Sequence, residues 1–489
     1  MKIVTIEEMK KVERRDYNLR RLSEDDLILS VAMSLEDKII SLDKHNILIL
    51  CGNNRNGDYG LLASVLLKRD TQLNVTAVSL NTDSKYYQAA ESEGVPILNV
   101  QRIIKQNTEQ ADIIVDCICD YDDCTLEYPF NYWVEWINDS HKYVISCDVP
   151  SGMNSDNGSI AKNCVRATET LAVQLPKLGC YLYPGSEATG KLTVDQVGLS
   201  YEATEFVNTI ATSNSYGEIQ KKLPLRRKHS HKSTYGKVLL IAGSPGKSGA
   251  AILCGKALLK CGAGLLTIMS HEKVIESVNN TLFEAMTITM KDGHTRGAMD
   301  QLNLNDFSML VIGPGLGRSN DTEYILETAL KSELPCVIDA DGLFFLKNHL
   351  DLLKSRKALT VITPHLGEYQ RIFDYKQDSI VNDLINISKE YDNLAIVLKG
   401  EHTLIAYQGK TTVNTTGNNA LAKGGSGDVL CGVIGALLAQ RCDIDSVVAG
   451  VYIHSYGADK WVENNSSYSL MASDLIEMID KVLFEMTRS

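Results

Sequence analysis

The amino-acid sequence predicts an α/β protein with two domains, each built around a mostly parallel sheet. Short runs rich in β-branched residues alternate with stretches of roughly 15–25 residues, which are long enough for crossover helices. This rhythm is interrupted once, at residues 206–228, and then resumes. The length of 489 residues corresponds to about three average domains or to two large α/β ones, and the single interruption favours two.

Four apolar runs predict the strands of the N-terminal domain. They are residues 45–52, 73–80, 112–116 and 142–148. Because parallel strands are buried on both faces, such runs are typical of a sheet that is covered by helices on both sides.

Residues 206–228 are interpreted as the connection between a domain at 1–210 and a domain at 225–489. Residues 211–217 are small and polar, and residues 221–232 form the most basic stretch of the chain. A nucleic-acid-binding patch is the alternative interpretation of the basic stretch. The stretch contains no interleaved aromatic residues and belongs to an acidic chain, which favours a connection.

Six further runs predict the strands of the C-terminal domain. They are residues 237–243, 264–269, 309–313, 335–339, 359–363 and 394–399. Between the first two, apolar residues from Ala250 to Cys261 fall at helical spacing, which predicts a helix. Residues 402–414 predict a β-hairpin around Gly409.

Composition excludes several classes of protein. A chain with 44% hydrophobic and 22% charged residues is ordinary for a globular protein, and its formal charge of −12 argues against non-specific nucleic-acid binding. Since no run of about 18 apolar residues and no apolar N-terminal segment occur, we expect neither a membrane span nor a secretory signal, and a cytoplasmic location. The twelve cysteines form no Cys-x-x-Cys pair, so we expect reduced, mostly buried thiols rather than a zinc or redox site.

A glycine-rich turn carries the strongest sign of chemistry. Gly424, Gly425 and Gly427 surround Ser426 and lead to Asp428, after which an apolar helix-like run begins. Glycines let backbone N–H groups approach an anion closely, and the N-terminus of a helix adds the positive end of its dipole. A carboxylate beside such a cradle can take a proton from an attacking hydroxyl. The alternative is a tight turn in which the aspartate only caps the helix.

Four other polar or glycine-rich turns follow predicted strands. They lie at residues 313–318, 339–342, 363–368 and 399–403. Because ligands of open α/β sheets bind beyond the carboxyl ends of the strands, these turns predict one shared site for a nucleotide and a substrate. The sequence Gly246-Lys-Ser is not a P-loop, since that motif needs a glycine where Ile241 stands.

From His231 to Ile479 the chain resembles the ADP- or ATP-dependent NAD(P)H-hydrate dehydratases, which have a ribokinase-like fold. The matching segments are His231-Lys, Gly236–Ser244, Gly249-Ala, Gly313–Gly317, Asp339-Ala-Asp, Thr363–Glu368, Leu398–Thr403 and Leu421–Leu430. Ser233 replaces the glycine that usually follows His-Lys in the family.

The resemblance implies that a hydrated nicotinamide ring is phosphorylated on its hydroxyl and then loses phosphate, which restores NADH or NADPH. It implies that Asp428 is the catalytic base, which also contacts the substrate, and that Mg²⁺ accompanies ADP or ATP as the co-substrate. Nucleotide-binding residues would be Lys399, Gly400, Glu401, His402 and Thr403, with Gly424, Gly425, Ser426 and Gly427 around the transferred phosphate. Contacts to the hydrate would come from Ala250, Gly315 or Gly317, and His365.

The N-terminal 200 or so residues resemble the NAD(P)H-hydrate epimerases, which implies a Rossmann-like three-layer sandwich. The segment Asp148-Val-Pro-Ser-Gly is close to the family's Asp-x-Pro-Ser-Gly. The resemblance implies that Asp148 is catalytic and contacts the substrate, and that Asn56, Asp116 and Ser151 bind K⁺. The alternative reading of this segment alone is an aspartate-capped turn.

Two loops of this domain depart from the epimerase pattern. Asp58 and Tyr59 stand where an ungapped alignment places Gly and Asp of the family's Asn-Asn-Gly-Gly-Asp-Gly, although a gapped alignment pairs Asn53 and Asn54 with its asparagines. The loop 116–122 lacks both glycines of the family's second loop. Side chains at a pyrophosphate contact, one of them negative, predict weak or lost epimerase activity.

Two hypotheses follow from the sequence. The first is a two-domain NAD(P)H-hydrate repair enzyme with small-molecule substrates, expected to form a homo-oligomer and to bind neither nucleic acid nor membrane. The second is a ribokinase-like small-molecule kinase that releases a stable phosphate ester and carries a non-catalytic N-terminal binding domain.

Overall fold

The computed structural model of the protein describes residues 1–19, 22–98, 104–122, 125–375 and 379–488. The chain divides into two compact units, one spanning Lys2–Ala211 and the other Thr212–Ser489 together with Met1. Each unit contains its own largely parallel sheet, and the predicted α/β fold class is confirmed.

The N-terminal unit is built on a parallel sheet. A short strand, β1 (Lys2–Ile3), comes first in the chain and is not part of this sheet. The strands of the sheet are β2 (Asn46–Cys51), β3 (Asn74–Ser79), β4 (Ile97–Leu98), β5 (Ile113–Cys117), β6 (Tyr143–Cys147), β7 (Glu169–Val173) and β8 (Lys191–Asp195). The sheet order is β4-β3-β2-β5-β6-β7-β8, and each neighbouring pair is parallel. All four predicted strands are present, and the order reverses between β2 and β5, where ligands bind in sheets of this kind.

Helices cover this sheet. They are α1 (Ile6–Asn18), α2 (Glu24–Ile40), α3 (Arg55–Asp70), α4 (Lys85–Ser92), α5 (Ile104–Gln110), α6 (Phe130–Ser140), α7 (Gly185–Thr189) and α8 (Tyr201–Phe206). A capping box between Ser23 and Asp26 fixes the start of α2. Its buried face carries Leu27, Val31 and Leu35 at a spacing of four residues.

The C-terminal unit contains a larger sheet. Its strands are β9 (Ala211–Thr212, at the boundary of the units), β10 (Lys237–Ile241), β11 (Leu265–His271), β12 (Met286–Met290), β13 (Met309–Ile312), β14 (Cys336–Ile338), β15 (Thr360–Ile362), β16 (Leu394–Leu398), β17 (Leu404–Tyr407) and β18 (Lys410–Val413). The strands from β18 to β12 follow the order β18-β17-β16-β15-β14-β13-β10-β11-β12. The pairs β16–β17 and β17–β18 are antiparallel, which confirms the predicted hairpin, and the others are parallel.

Eleven helices of this unit lie within the described ranges. They are α9 (Tyr216–Lys222), α10 (Ser248–Lys260), α11 (Glu272–Thr281), α12 (Thr295–Asp300), α13 (Asn320–Lys331), α14 (Leu350–Ser355), α15 (Leu366–Phe373), α16 (Ile380–Glu390), α17 (Ser426–Gln440), α18 (Ile444–Val462) and α19 (Ala472–Arg488). Helix α17 is apolar on nearly all sides, and Val429, Val433 and Ile434 are fully buried in the core of the unit. The glycine-rich turn that precedes α17 is therefore attached to a rigid core element.

The segment interpreted as a connection contains more structure than the sequence suggested. Residues 216–222 form α9, and a capping box between Ser215 and Glu218 starts this helix. Ile219 is fully buried in the core of the C-terminal unit. The capping box was the signal that sequence reasoning missed, because it stands next to a basic run that is typical of a loop.

Replacing Arg356 with Met is expected to destabilise the C-terminal unit by about 3 kcal/mol, since a buried guanidinium saturated with hydrogen bonds is lost. This side chain donates to the carbonyls of Ala329, Leu330, Ser332 and Leu334 and to Thr360 Oγ1. Urea unfolding measures the change. Lys354→Met is the matched control, because Lys354 is exposed and its ion pair is with an exposed Glu390. A similar unfolding midpoint for both variants would contradict the assignment.

The eleven described cysteines are free thiols, ten of them buried and Cys442 exposed, whereas Cys124 lies outside the described residues. The predicted burial of most thiols is confirmed for the described part of the chain, and their reduced state stays a prediction. Within that part, no helix combines the length and the apolarity that crossing a membrane requires. The cytoplasmic location stays a prediction.

Candidate functional site

Five loops of the C-terminal unit leave the carboxyl ends of β10, β13, β14, β15 and β16 at one edge of the sheet. The strand order reverses between β10 and β13, which is the expected place for a ligand. Hydrogen bonds join neighbouring loops: Gly243 N–H donates to Pro314 O at 2.8 Å, and Lys399 N–H donates to Pro364 O at 2.8 Å. The loops that the sequence assigns to one site therefore lie side by side.

The glycine-rich turn at the start of α17 lies beside these loops. Gly425 has a φ of 91°, a left-handed conformation that favours glycine, and the helix begins at Ser426. A Cβ atom added to Gly427 would lie 3.8 Å from Lys399 Nζ and 3.8 Å from Asp339 Oδ2. The positive end of the helix therefore faces the Lys399 side chain, and Gly424 on the same turn is exposed.

Lys399 and Asp339 form an ion pair with 2.9 Å between Nζ and Oδ1. Burial lowers the pKa of the Lys399 ammonium, but the charge and hydrogen bond of Asp339 outweigh burial and raise it overall. Sequence reasoning placed Asp339 at the edge of the site but gave it no role. Its signal was the Asp-Ala-Asp segment at the end of a buried strand.

Asp428 lies two residues into the first turn of α17 and is half-buried. Burial, followed by the negative charge of Asp339, raises the pKa of its carboxyl to about 6, against the opposing effect of Lys399. A carboxylate with such a pKa is a better proton acceptor than an ordinary aspartate and is still ionised at neutral pH. The N-cap residue of α17 is Gly425, so Asp428 does not cap this helix as the capped-turn alternative requires.

Residues 399–403 form the loop between β16 and the hairpin. Gly400 and Glu401 are exposed, whereas His402 and Thr403 are half-buried. Burial lowers the pKa of His402, which leaves its ring neutral at pH 7. The carbonyl of Thr403 accepts a 2.9 Å hydrogen bond from Asn414 N–H, which ties this loop to the segment before the glycine-rich turn.

Of the residues expected at the hydrate, Ala250 and Gly315 lie together at the start of α10. A Cβ atom added to Gly315, which has a φ of 59°, would lie 2.8 Å from Ala250 Cβ. Gly317 N–H donates to Asp341 Oδ2 at 2.9 Å, and Lys247 Nζ donates to the same oxygen at 3.0 Å. Asp341 thus holds two of the loops in place, a role that the sequence did not reveal.

His365 caps the start of α15. Its Nδ1 accepts hydrogen bonds from Gly367 N–H at 3.1 Å and Glu368 N–H at 3.3 Å, while a Glu368 carboxylate oxygen accepts from His365 N–H at 3.0 Å. The side chain is 62% exposed, and its backbone pairs with that of Lys399 in an isolated bridge. The structure therefore places His365 next to the ion pair with one ring edge facing solvent.

The N-terminal unit carries a second cluster at the carboxyl ends of β5 and β6. Asp116 is fully buried, and burial raises the pKa of its carboxyl against its hydrogen bonds. Its two oxygens accept from Ser151 Oγ at 2.6 Å, Ser151 N–H at 3.0 Å and Ser146 Oγ at 2.8 Å. Two of the three residues expected to bind K⁺ are therefore in direct contact.

Asn56 is the third residue of the expected K⁺ site. Its Nδ2 donates to Cys119 O at 2.6 Å and to Cys147 O at 2.9 Å, while within the described residues its buried Oδ1 accepts no hydrogen bond. A buried oxygen without a donor is costly unless a cation or water completes it. A set of carboxylate, amide, hydroxyl and carbonyl oxygens suits a hard monovalent cation, so these residues fit K⁺.

Asp148 forms an ion pair with Lys177, whose side chain is fully buried. The carboxylate also accepts a 2.9 Å hydrogen bond from Val173 N–H. Asp148 has a φ of 64°, a strained conformation for a residue other than glycine, and such strain clusters at functional sites. The two residues are 29 positions apart in the sequence, and sequence reasoning gave Lys177 no role.

Asp58 and Tyr59 lie in different surroundings. The Tyr59 side chain is 2% exposed and packs in the core, because α3 begins at Arg55 and turns position 59 inward. Asp58 is half-buried near the surface, where it accepts a 2.6 Å hydrogen bond from Ser84 Oγ. The effect of these two side chains on epimerase activity stays a prediction.

Another departure from the epimerase pattern places charged side chains at the carboxyl ends of the strands. Arg55 donates to both carboxylate oxygens of Glu13, at 2.9 and 3.0 Å, and its Nε lies 3.4 Å from Asp120 Oδ2. Arg55 and Asp120 belong to the two loops that depart from the epimerase pattern. The two altered loops are thus joined by an ion pair.

Two family models match the chain. The model described as NAD(P)H-hydrate dehydratase matches residues 238–481, and the model described as YjeF-related protein N-terminus matches residues 27–179. The two matched ranges fall within the two compact units.

Relatives and solved structures agree with these matches. The bifunctional NAD(P)H-hydrate repair enzyme Nnr of Moorella thermoacetica is 32% identical over 464 residues, which cover 89% of this chain and 87% of that protein. The ADP-dependent (S)-NAD(P)H-hydrate dehydratase of Bacillus subtilis is 34% identical over 269 residues, which cover 54% of this chain and 95% of that protein. A solved ribokinase-like superfamily protein of Enterococcus faecalis V583 is 26% identical with a TM-score of 0.51, covering 56% of this chain and 96% of that one. The predicted ribokinase-like fold of the C-terminal domain is confirmed, and the chain belongs to the family of bifunctional NAD(P)H-hydrate repair enzymes.

Proposed function

We propose that the protein repairs hydrated NADH and NADPH, and that its C-terminal unit dehydrates the S form at the expense of ADP or ATP. The observation that carries this proposal is the position of Asp428 at the start of α17, within reach of the Lys399–Asp339 pair and with a raised carboxyl pKa. An ionised base next to an anion cradle is the arrangement that phosphoryl transfer to a hydroxyl requires.

The roles of the residues follow from this geometry. Asp428 takes the proton of the ring hydroxyl as its oxygen attacks the terminal phosphorus, and the bond from phosphorus to the leaving AMP or ADP breaks. The N–H groups of Gly424, Gly425, Ser426 and Gly427 and the Lys399 ammonium stabilise the charge on the transferred phosphate. The ring then expels phosphate with the electron pair of its nitrogen and loses a proton, which restores the ring double bond.

The other expected contacts belong to the same proposal. Residues 399–403 contact the nucleotide, and Ala250, Gly315, Gly317 and His365 contact the hydrate. Mg²⁺ neutralises the phosphate oxygens when it is bound. Since the described residues contain no group of three or more His, Cys, Asp or Glu side chains placed to hold a metal ion, the phosphates themselves would supply most of its ligands.

The test is an assay with the separated S and R hydrates of NADH. The protein is incubated with Mg²⁺ and either ADP or ATP, and recovery of NADH absorbance near 340 nm is followed together with released phosphate. Recovery from the S form with stoichiometric phosphate supports the proposal. A stable phosphate ester without NADH recovery supports the small-molecule kinase instead. If the hydrate is consumed neither with ADP nor with ATP, both hypotheses are contradicted.

For the N-terminal unit we propose R/S epimerisation at a reduced rate. Asp148 moves the proton, and Asn56, Asp116 and Ser151 hold K⁺, whose charge favours an anionic substrate nearby. Arg55, Asp120 and Asp58 stand in the loops where family members have small residues, which supports the reduced rate. The same assay tests this proposal. Wild-type protein should consume R hydrate only slightly faster than Asp148→Asn protein does. Rapid consumption of R hydrate that Asp148→Asn abolishes would contradict the reduced rate.

Turnover of the S hydrate is expected to fall below about pH 6. The base must be ionised, and burial together with Asp339 raises the pKa of Asp428 to about 6. kcat/KM should be level above about pH 7 and fall about tenfold per pH unit below about pH 5.5. A profile of kcat/KM at saturating nucleotide measures this, and a limb near pH 4, the ordinary range for a carboxyl, would contradict the raised pKa of Asp428.

Assembly into a homo-oligomer stays a prediction, which light scattering of the purified protein would test.

A further inference from the structure

One stretch of α18 carries polar side chains that point at the backbone of the site. His454, Ser455 and Asp459 lie among the apolar residues of this helix, and His454 and Ser455 are buried. Buried polar groups need hydrogen-bond partners, and each of these three has at least one partner in the segment from Asn414 to Ser426.

His454 reaches the first residue of α17. Its Nε2 lies 3.0 Å from the carbonyl oxygen of Ser426. A carbonyl can only accept, so Nε2 carries the proton of this bond. Burial lowers the pKa of the imidazole to about 4, so the ring is neutral and this single donor is fixed at neutral pH.

Ser455 and Asp459 hold the other end of the same segment. Ser455 Oγ accepts from Asn414 Nδ2 at 2.9 Å. Asp459 accepts from Gly417 N–H at 2.8 Å and from Asn418 Nδ2 at 2.9 Å. The segment between residues 418 and 426, which includes Gly424 and Gly425, is thus held at both ends by hydrogen bonds to side chains of α18.

We propose that His454 is a positioning residue for the nucleotide phosphate, acting through the Ser426 carbonyl. This inference rests on the proposed function of the turn at Gly424–Gly427 as the phosphate cradle. A glycine-rich turn samples many backbone conformations when it is free, and ordering it on binding costs affinity. By fixing Ser426, His454 holds the N–H groups of the turn in the arrangement that an anion needs before the nucleotide arrives.

The test compares two substitutions of His454 by amide side chains of different length. In His454→Gln the side-chain N–H can replace Nε2 at the Ser426 carbonyl, whereas in His454→Asn it is too short. Calorimetry measures the Kd of ADP and of ATP, and steady-state kinetics measure the KM of nucleotide and of S hydrate. His454→Asn should bind nucleotide about tenfold more weakly with the hydrate KM within about twofold of wild type, and His454→Gln should restore most of the loss.

Ser446→Ala is the matched control on the same helix. Ser446 is buried and hydrogen-bonded near the start of α18, so the control loses stability without reaching the site. Its nucleotide Kd should equal that of wild type. The inference would be overturned if His454→Asn bound nucleotide as tightly as wild type, or if His454→Asn and His454→Gln bound it equally weakly. Weaker nucleotide binding by Ser446→Ala would also overturn it. If wild-type protein binds neither nucleotide, the proposed function fails first, which separates the two outcomes.

Discussion

Replacing Asp428 with Asn is expected to lower the turnover of S hydrate by about 10²–10⁴-fold, which is the usual contribution of a general base. The amide keeps the size of the side chain but cannot accept the hydroxyl proton. ADP should still bind, because the cradle of Gly424–Gly427 and the Lys399 ammonium remain. Turnover is measured by NADH recovery, and binding is measured by calorimetry.

The same variant is expected to be more stable than wild type at neutral pH. The folded-state pKa of Asp428, about 6, lies above the ordinary value of 3.8. A group of this kind favours the folded state below its unfolded pKa, and this contribution is lost as the pH rises through the folded pKa. At pH 7.5 the ionised side chain therefore opposes folding, and Asn removes that charge.

Lost turnover together with a higher unfolding temperature would distinguish a base from a structural residue. Asp351→Asn is the control, since Asp351 is exposed at the start of α14. It should change neither quantity. Retained turnover in Asp428→Asn, or lost turnover with lowered stability, would refute the role of Asp428 as base.

Replacing Lys177 with Met is expected to destabilise the N-terminal unit by about 3–5 kcal/mol, because it leaves a buried carboxylate without its cation. Lys177 is fully buried and pairs with Asp148, which is 3% exposed. Its ammonium also lies 4.9 Å from the centre of the Tyr121 ring, so few waters could take its place. Hydrogen exchange of the amides in β6 measures the local free energy of opening.

The double variant Lys177→Met/Asp148→Asn separates charge from packing. Removing both charges should recover a large part of the lost stability, since a neutral pair of similar volume avoids the unpaired ion. Lys191→Met, at an exposed position of β8, is the single-site control. If the double variant is as unstable as Lys177→Met, the loss comes from packing and the ion pair has no special role.

The fold was predictable where strands are continuous and apolar. The runs that became β2, β5 and β6 are fully or almost fully buried, and their composition alone identifies them. The strand β12 was missed because its residues are mostly exposed or half-buried, and β8 is likewise half-buried. At such positions neighbouring strands, which a single sequence does not reveal, decide the conformation.

The site was predictable to the extent that its chemistry is local in sequence. The glycine-rich turn and Asp428 are five consecutive residues, and resemblance supplied their companions. The pairing of Lys399 with Asp339 and the bond from His454 to Ser426 join residues 60 and 28 positions apart. Only folding brings these groups together, so spacing in the sequence could not show which carboxylate tunes the base or which histidine anchors the turn.

The ion pair between Arg55 and Asp120 makes the two altered loops unequal in their tolerance to substitution. Both side chains lie in a poorly hydrated place, with side-chain exposures of 17% and 12%. A small neutral residue at position 120 alone would leave Arg55 with its bidentate partner Glu13. A small neutral residue at position 55 alone would leave two carboxylates without their cation. Substitution is therefore expected to be tolerated at position 120 and to destabilise the unit at position 55.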